Sequence, residues 1–287
     1  MRVLVIYKRS FLEAHAAERR AIGRLSPARR ARLREADLEN RRALDALIGR
    51  LEKLGVHHDA VCRGGVAARH RYGLVIALGG DGTVFAAARH VGSAPILGIN
   101  SDPGNSLGLW TCADRGSFQC PLEKALEGRL RRTVLHRMAV SVNGQTLSTR
   151  VFNDVLFAHR NPAAMTRCRI EVGHRIEDQK SSGVWIATAA GSTAAIRSGG
   201  GRRMPIGSRL LQYLVREPFM WPSRKYALTG GCVPALAITT YLVESSLWLD
   251  GTILRQDLGL GDRVEFGRGE PLTLLGYDES RRRRLFP

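Results

Sequence analysis

Long apolar runs, lysine, aromatic side chains and paired cysteines are all scarce in this chain of 287 residues, and each scarcity excludes something. No uninterrupted apolar stretch approaches the roughly 18 to 20 residues that cross a bilayer, so no transmembrane helix and no membrane partner are expected. MRVLVIYKRS enters an apolar strand at once, and no signal or transit segment is expected. The five cysteines, Cys62, Cys112, Cys120, Cys168 and Cys232, are odd in number, widely spread and without a C-x-x-C pair. That argues against a disulfide frame or a structural zinc site. Reduced thiols fit a cytoplasmic location best. Only five of the 44 basic residues are lysine. The formal charge of +18 favours anionic partners, although arginine dominance follows equally from genomic base composition. Aromatics are 6% of the chain and thin out near the basic runs, so base stacking has little to work with and nucleic acid is a poor candidate.

What is there reads as a globular protein of one large or two closely docked domains, 44% hydrophobic and 24% charged. VLVIY at residues 3 to 7 reads as a buried strand. From 9 to 55 an arginine-rich segment spaces Leu33, Leu38, Leu44, Leu47, Leu51 and Leu54 as amphipathic helices do. Ser26-Pro27 predicts a break into two helices, with serine as N-cap and proline in the first turn. VHHDAV is a second strand, LVIAL (74 to 78) a third and APILGI (94 to 99) a fourth, with a helix over 83 to 91 between the last two. Strand, helix and strand at this spacing imply a parallel sheet in a doubly wound α/β domain. The texture then changes. TVLHRMAVSV and QTLSTRVFNDVLFA flank Asn143-Gly144, a hairpin dipeptide. CRIEVG, VWIATA, LAITTYL, SLWLDG, RVEFG and LTLLGY add short strands. The fold class is therefore α/β: an N-terminal doubly wound α/β domain plus a strand-rich, β-sandwich-like C-terminal domain, with a boundary near 115 to 130. The RRRR tail (281 to 284) is most simply a solvated terminus, with packing near a phosphate site as the alternative.

The stretch LVIALGGDGTVFAAARHV sets Asp81 among Gly79, Gly80 and Gly82 between strand and helix. A helix opening on a glycine turn presents free N–H groups and its positive dipole end, which suits phosphate. The glycines let the backbone approach closely. A carboxylate there must accept a proton, hold a metal or grip a hydroxyl that will be phosphorylated, and all three belong to phosphoryl transfer. The plainer alternative is a glycine-rich turn in which Asp81 caps the helix at Thr83. Neither the P-loop lysine pattern nor the G-x-G-x-x-G spacing is present.

GGDGT after a strand resembles the signature shared by NAD kinases, diacylglycerol and sphingosine kinases, and phosphofructokinases. Three further stretches, LGINSDPGNSLGLW (97 to 110), VFNDVLF (151 to 157) and SSGVWIATAAGSTAAIRSGGG (181 to 201), resemble the blocks of the NAD kinase family in order and spacing. The helical insertion, the INSDP turn and the KSSG run are similar to the mitochondrial-type branch and its bacterial relatives. The resemblance implies an NAD kinase that phosphorylates the 2'-hydroxyl of the adenosine ribose of NAD(H), using ATP with Mg²⁺, or polyphosphate. Asp81 is then the catalytic carboxylate, and Gly79, Gly80, Gly82 and Thr83 bind phosphate. Asn153, Asp154, Ser182, Thr193, Ala194 and Ser198 fall on NAD-binding positions, and no residue is assigned as a metal ligand.

It also implies a homodimer or larger. The domains become 1–122 carrying GGDGT, a β-rich dinucleotide-binding domain at 123–267, and a tail, 268–287, returning to the first. Two positions depart from the pattern: Ser182 stands where many bacterial members have the aspartate of G-D-G, and Ala195 where a tyrosine is common. Both bear on affinity and on NAD versus NADH preference. Arg197, Arg202 and Arg203 are candidate phosphate-binding cations, and Asp250 is either structural or substrate-facing. A lipid or sphingoid kinase sharing GGDGT, and a catalytically weakened nucleotide-binding sensor, are the alternatives.

Overall fold

Five-residue runs with hardly a polar side chain build the first sheet: β1 (Val3–Tyr7), β3 (Leu74–Leu78) and β4 (Ile96–Asn100), the last two buried at every position. Continuous burial without alternation is what parallel strands covered on both faces display. The computed structural model describes residues 1–65, 71–223, 225–251 and 254–287. It divides into two units, Met1–Thr133 with Thr273–Arg284, and Val134–Leu272 with Leu285–Pro287.

In the first unit β1 is followed by α1 (Phe11–Ala14), α2 (Arg19–Gly23) and α3 (Pro27–Lys53), then β2 (His58–Cys62). β1 pairs in parallel with β2 and β3, and β3 with β4. α4 (Asp81–His90) joins β3 to β4, and β5 (Ala113–Asp114) and α5 (Gln119–Leu126) follow. The break at Ser26-Pro27 is present, with the Ser26 hydroxyl accepting from the Arg29 amide and proline opening α3. Upstream, residues 11 to 23 form short pieces and a 3-10 turn instead of one helix. α1 and that turn bury no residue, so nothing apolar holds a longer helix together. α3 buries Ala43, Leu47 and Leu51 against Val3, Val5, Leu74, Ile76 and Leu78. Strand alternation leaves Val75 and Ala77 on the opposite face, and α4, which packs on β3, covers that side.

The second unit pairs its described strands antiparallel and carries a 3-10 turn at Gly191–Thr193 and one short helix. Its elements are β6 (Arg132–Val142), β7 (Gln145–Val151), β8 (Asp154–His159), β9 (Thr166–Val172), β10 (Arg175–Ser181), β11 (Gly183–Ala187), α6 (Ala195–Ser198), β12 (Leu211–Arg216), β13 (Gly230–Val233), β14 (Leu236–Thr240), β15 (Ser245–Leu249), β16 (Leu254–Leu258) and β17 (Arg263–Leu275). Asn143 and Gly144 both take positive φ, 51° and 77°, the turn that matches the twist of the β6–β7 hairpin. One sheet runs β13-β12-β11-β8-β15-β16; the other places β10, β9, β14 and β17 side by side, with β6 pairing β17 and β7. Met138, Ile170, Ile238 and Phe266 from one sheet meet Phe157, Ile186, Tyr213 and Leu247 from the other in a single core. RVEFG and LTLLGY, expected as two strands, are one strand of 13 residues, β17.

The last stretch of β17, residues 273 to 275, belongs to the first unit, where Leu274 and Leu275 pair in parallel with Ile96 and Leu97. The terminal helix α7 (Glu279–Leu285) follows it. The expectation of a solvated RRRR terminus is corrected here: Arg282 is fully buried, and Arg281 donates into a loop of the first unit. The expected fold class, a doubly wound α/β half followed by a β-sandwich-like half, is present in the two units. All five cysteines are free thiols, and no described helix is long and apolar enough to cross a membrane.

Candidate active site

The glycine turn sits where β3 ends and α4 begins. Gly80 is the N-cap of α4, and Asp81 is its first residue, two positions earlier than the spacing predicts. The Gly79 amide donates to the Ile99 carbonyl at 2.9 Å, which carries the parallel ladder into the turn. A Cβ on Gly79 would lie 2.2 Å from Thr83 Oγ1 and 2.9 Å from Thr83 Cβ, so this position admits glycine alone. Thr83 is thereby placed behind the turn, 1% exposed, its hydroxyl packed against Gly79. That hydroxyl, expected to bind phosphate, has no hydrogen-bond partner among the described residues. Asp81 makes no side-chain cap bond. Its Oδ1 accepts the backbone N–H of Trp110 at 2.9 Å, and the residue stays partly open to solvent.

Two cations flank this turn that local sequence does not single out. Lys8 follows β1, and its Cβ would be 3.1 Å from a Cβ on Gly79; Arg63 follows β2, with Nη1 3.0 Å from the Cβ position of Gly82. They lie at the carboxyl ends of adjacent parallel strands, the edge at which open α/β sheets bind ligands. The signal available in the sequence is only that each is the first residue after an apolar or β-prone run. A glycine turn, first-turn amides, one carboxylate and two cations together can hold phosphoryl oxygens beside a hydroxyl awaiting attack.

In the second unit, Asn153 and Asp154 form the corner between β7 and β8. Asp250, at the β15–β16 turn with φ 51°, accepts the amides of Phe152 (3.1 Å) and Asn153 (2.7 Å). Its carboxylate therefore fixes the corner's backbone. Asp154 is 3% exposed; burial first, and the neighbouring Asp250 charge second, push its carboxyl up to about 7. Thr188 binds the same corner, its hydroxyl donating to Phe152 O at 2.5 Å and its amide to Asn153 O at 3.0 Å. Gly191 passes so close that a Cβ there would be 2.0 Å from the Asn153 carbonyl oxygen. Thr193 and Ala194 follow directly and stand partly buried beside the corner, while Ser198 ends α6 in an exposed position. Ser192 caps no helix; its hydroxyl bridges Ala189 O and the Met204 amide.

The structure thus brings Gly191, two residues before Thr193, against the Asn153 carbonyl. Ser182 is elsewhere in this unit. It lies before β11, five residues from Ala187, the residue that pairs with Asp154. At strand rise that is about 16 Å along the sheet. Ser182 there lines a cavity of about 440 Å³ with Leu156, His159, Arg216 and Trp248. Arg197 is engaged with main chain, donating to Gly201 O at 3.0 Å and Pro287 O at 3.1 Å.

Residues 58–129 match the family model described as ATP-NAD kinase N-terminal domain. A probable NADH kinase of Oryza sativa subsp. japonica is 34% identical over 229 residues, covering 71% of this chain and 70% of its own length. The chain belongs to the NAD kinase family. An NADH kinase of Arabidopsis thaliana (32% over 224 residues, 69% of this chain and 71% of its own) and an NAD kinase of Geobacter sulfurreducens (32% over 217, 72% and 74%) are further relatives. Among solved structures, an NAD kinase from Archaeoglobus fulgidus in complex with ATP has the same fold, with a TM-score of 0.70 at 18% identity, covering 99% of this chain and 97% of that one. Yeast NADH kinase complexed with NADH gives 0.74 at 16% identity, covering 99% and 86%. Membership selects this family of kinases over the lipid and sphingoid kinases that share GGDGT.

Proposed function

We propose that this member of the NAD kinase family transfers the terminal phosphoryl group of ATP, or of polyphosphate, to the 2'-hydroxyl of the adenosine ribose of NAD(H). The carrying observation is Asp81: a partly open carboxylate, one oxygen tied to the Trp110 amide, seated in a glycine turn between Lys8 and Arg63. Asp81 orients the hydroxyl and takes its proton as the oxygen bonds to phosphorus and the bond to the leaving phosphate breaks. A carboxylate is a weak base for an alcohol, so that transfer comes late along the reaction. First-turn amides of α4, reached across Gly79, Gly80 and Gly82, hold the phosphoryl oxygens, and Lys8 and Arg63 offset their charge. Asn153, Asp154, Thr193, Ala194 and Ser198 hold the dinucleotide, with Asp250 keeping the 153–154 corner in place. Ser182, which stands apart from that corner, contributes to affinity and redox preference.

Among the described residues no three His, Cys, Asp or Glu side chains cluster. A single carboxylate at a phosphate-binding turn would suit Mg²⁺ carried in on the triphosphate, and the ion would supply charge neutralisation there. The free thiols suit a cytoplasmic enzyme, and the family resemblance supports a homodimer or larger, which light scattering would measure.

The test is an assay of NADP⁺ and NADPH formation with ATP and polyphosphate as donors and NAD⁺ and NADH as acceptors. Asp81→Asn should keep fold and dinucleotide binding while turnover falls by about 10²- to 10⁴-fold. Retained turnover in that variant removes Asp81 from the chemistry, and NAD binding without phosphorylation in the unsubstituted protein would instead mark a sensor.

A further inference from the structure

The Trp110 amide that holds Asp81 is itself held from the far end of the chain. Trp110 lies in the turn of residues 101 to 111, after β4. The first part of that turn is secured locally: Asn100 Oδ1 accepts the Asp102 amide at 3.1 Å, and Asn100 Nδ2 donates to Ser106 O at 3.2 Å. The second part is secured by α7 and the residues just before it. Arg281 donates from Nη1 to Gly108 O at 2.9 Å and from Nη2 to Leu107 O at 2.5 Å. Tyr277, buried, stacks on the Trp110 indole, with ring centroids 5.3 Å apart and planes 14° from parallel. Gly108 itself takes φ 58°, and a Cβ there would meet Asn100 Nδ2 at 2.5 Å. The backbone between Leu107 and Trp110 is therefore fixed at both ends. All these groups belong to the first unit.

We propose that Arg281 is a positioning residue for phosphoryl transfer: its guanidinium clamps the 107–110 backbone so that the Trp110 N–H holds the Asp81 carboxylate in reacting geometry. This rests on Asp81 being the base. A fork of two donors on neighbouring carbonyls is guanidinium geometry that an ammonium does not reproduce. The neighbouring arginines differ in surroundings. Arg282 is buried, and Arg283 and Arg284 project to solvent. Release of the clamp lets the base drift, and misplacement by about 1 Å costs on the order of 100-fold in rate.

The experiment compares Arg281→Met, Arg281→Lys and the control Arg283→Met in the full chain, with Asp81→Asn alongside. Thermal unfolding checks folding, and kcat and the KM values for NAD⁺ and ATP are measured. We expect kcat to fall by about 100-fold in Arg281→Met and about tenfold in Arg281→Lys. Both KM values should stay within about threefold, and Arg283→Met should match the unsubstituted protein. If Arg281→Met does not fold, Arg281→Lys carries the same three readouts. An unchanged kcat overturns the clamp, and so does a loss confined to the KM for ATP, which would make Arg281 a phosphate ligand. If Asp81→Asn stays active, the base assignment itself fails and the clamp with it. An inactive Asp81→Asn beside a fully active Arg281→Met refutes the clamp alone.

Discussion

Asp154 carries a proton that its unfolded counterpart gives up. The unfolded chain ionises this group near its ordinary value of 3.8, whereas in the fold burial and the Asp250 charge hold the proton up to about 7. Between those limits the folded state binds more protons, so stability falls as pH rises from about 4 to about 7 and levels off above. Asp154→Asn keeps a neutral side chain of the same shape. Its melting temperature should exceed that of the unsubstituted protein at pH 8 and equal it at pH 4; equal values at both would show that folding does not raise the Asp154 carboxyl. Gly191 makes a second prediction at this scale. Gly191→Ala drives a methyl into the Asn153 carbonyl, 2.0 Å from the Cβ position, and should cost about 1–3 kcal/mol in urea unfolding while weakening dinucleotide binding.

The helix α3 is stabilised at its start by one hydroxyl and one ring. Ser26→Ala frees the Arg29 amide and should lower stability by about 1 kcal/mol in a thermal melt, with kcat unchanged because the Ser26 hydroxyl bonds within its own helix turn. How far elements were legible follows from how they bury themselves. β1, β3 and β4 announce themselves because both faces are covered, which demands unbroken apolar runs. β10 does not: as an edge strand carrying Arg175, Glu177, Asp178 and Lys180, it pairs only with β9 and needs little apolar surface. β12 is not among the expected strands either: Leu211, Tyr213 and Val215 alternate, but Gln212 between them is buried as well, so the pattern is blurred. At the site, Asp81 and the glycines are readable as one contiguous string. Lys8, Arg63 and Arg281 are not, since parallel pairing and a returning tail bring them to the turn from distant stretches. The buried Arg282 sits in a run of four identical residues, and only tertiary neighbours distinguish it from Arg283.

At the scale of the whole molecule, the first unit is discontinuous in sequence. Its sheet reads β2-β1-β3-β4 and then the end of β17, so residues 1 to 133 alone leave the β4 edge without its partner at Ile96 and Leu97. A fragment of residues 1–133 should therefore melt well below the intact chain and aggregate on warming, as bare strand edges do. A fragment as stable as the intact protein would show that the returning strand is dispensable. During synthesis the consequence is one of timing. The glycine turn is translated early, yet the strand and arginine that brace its surroundings emerge last, after more than a hundred intervening residues of β-structure. A premature stop codon at position 277 would spare every residue of the GGDGT string and still release a product with Trp110 lacking Tyr277 and Arg281 at its back.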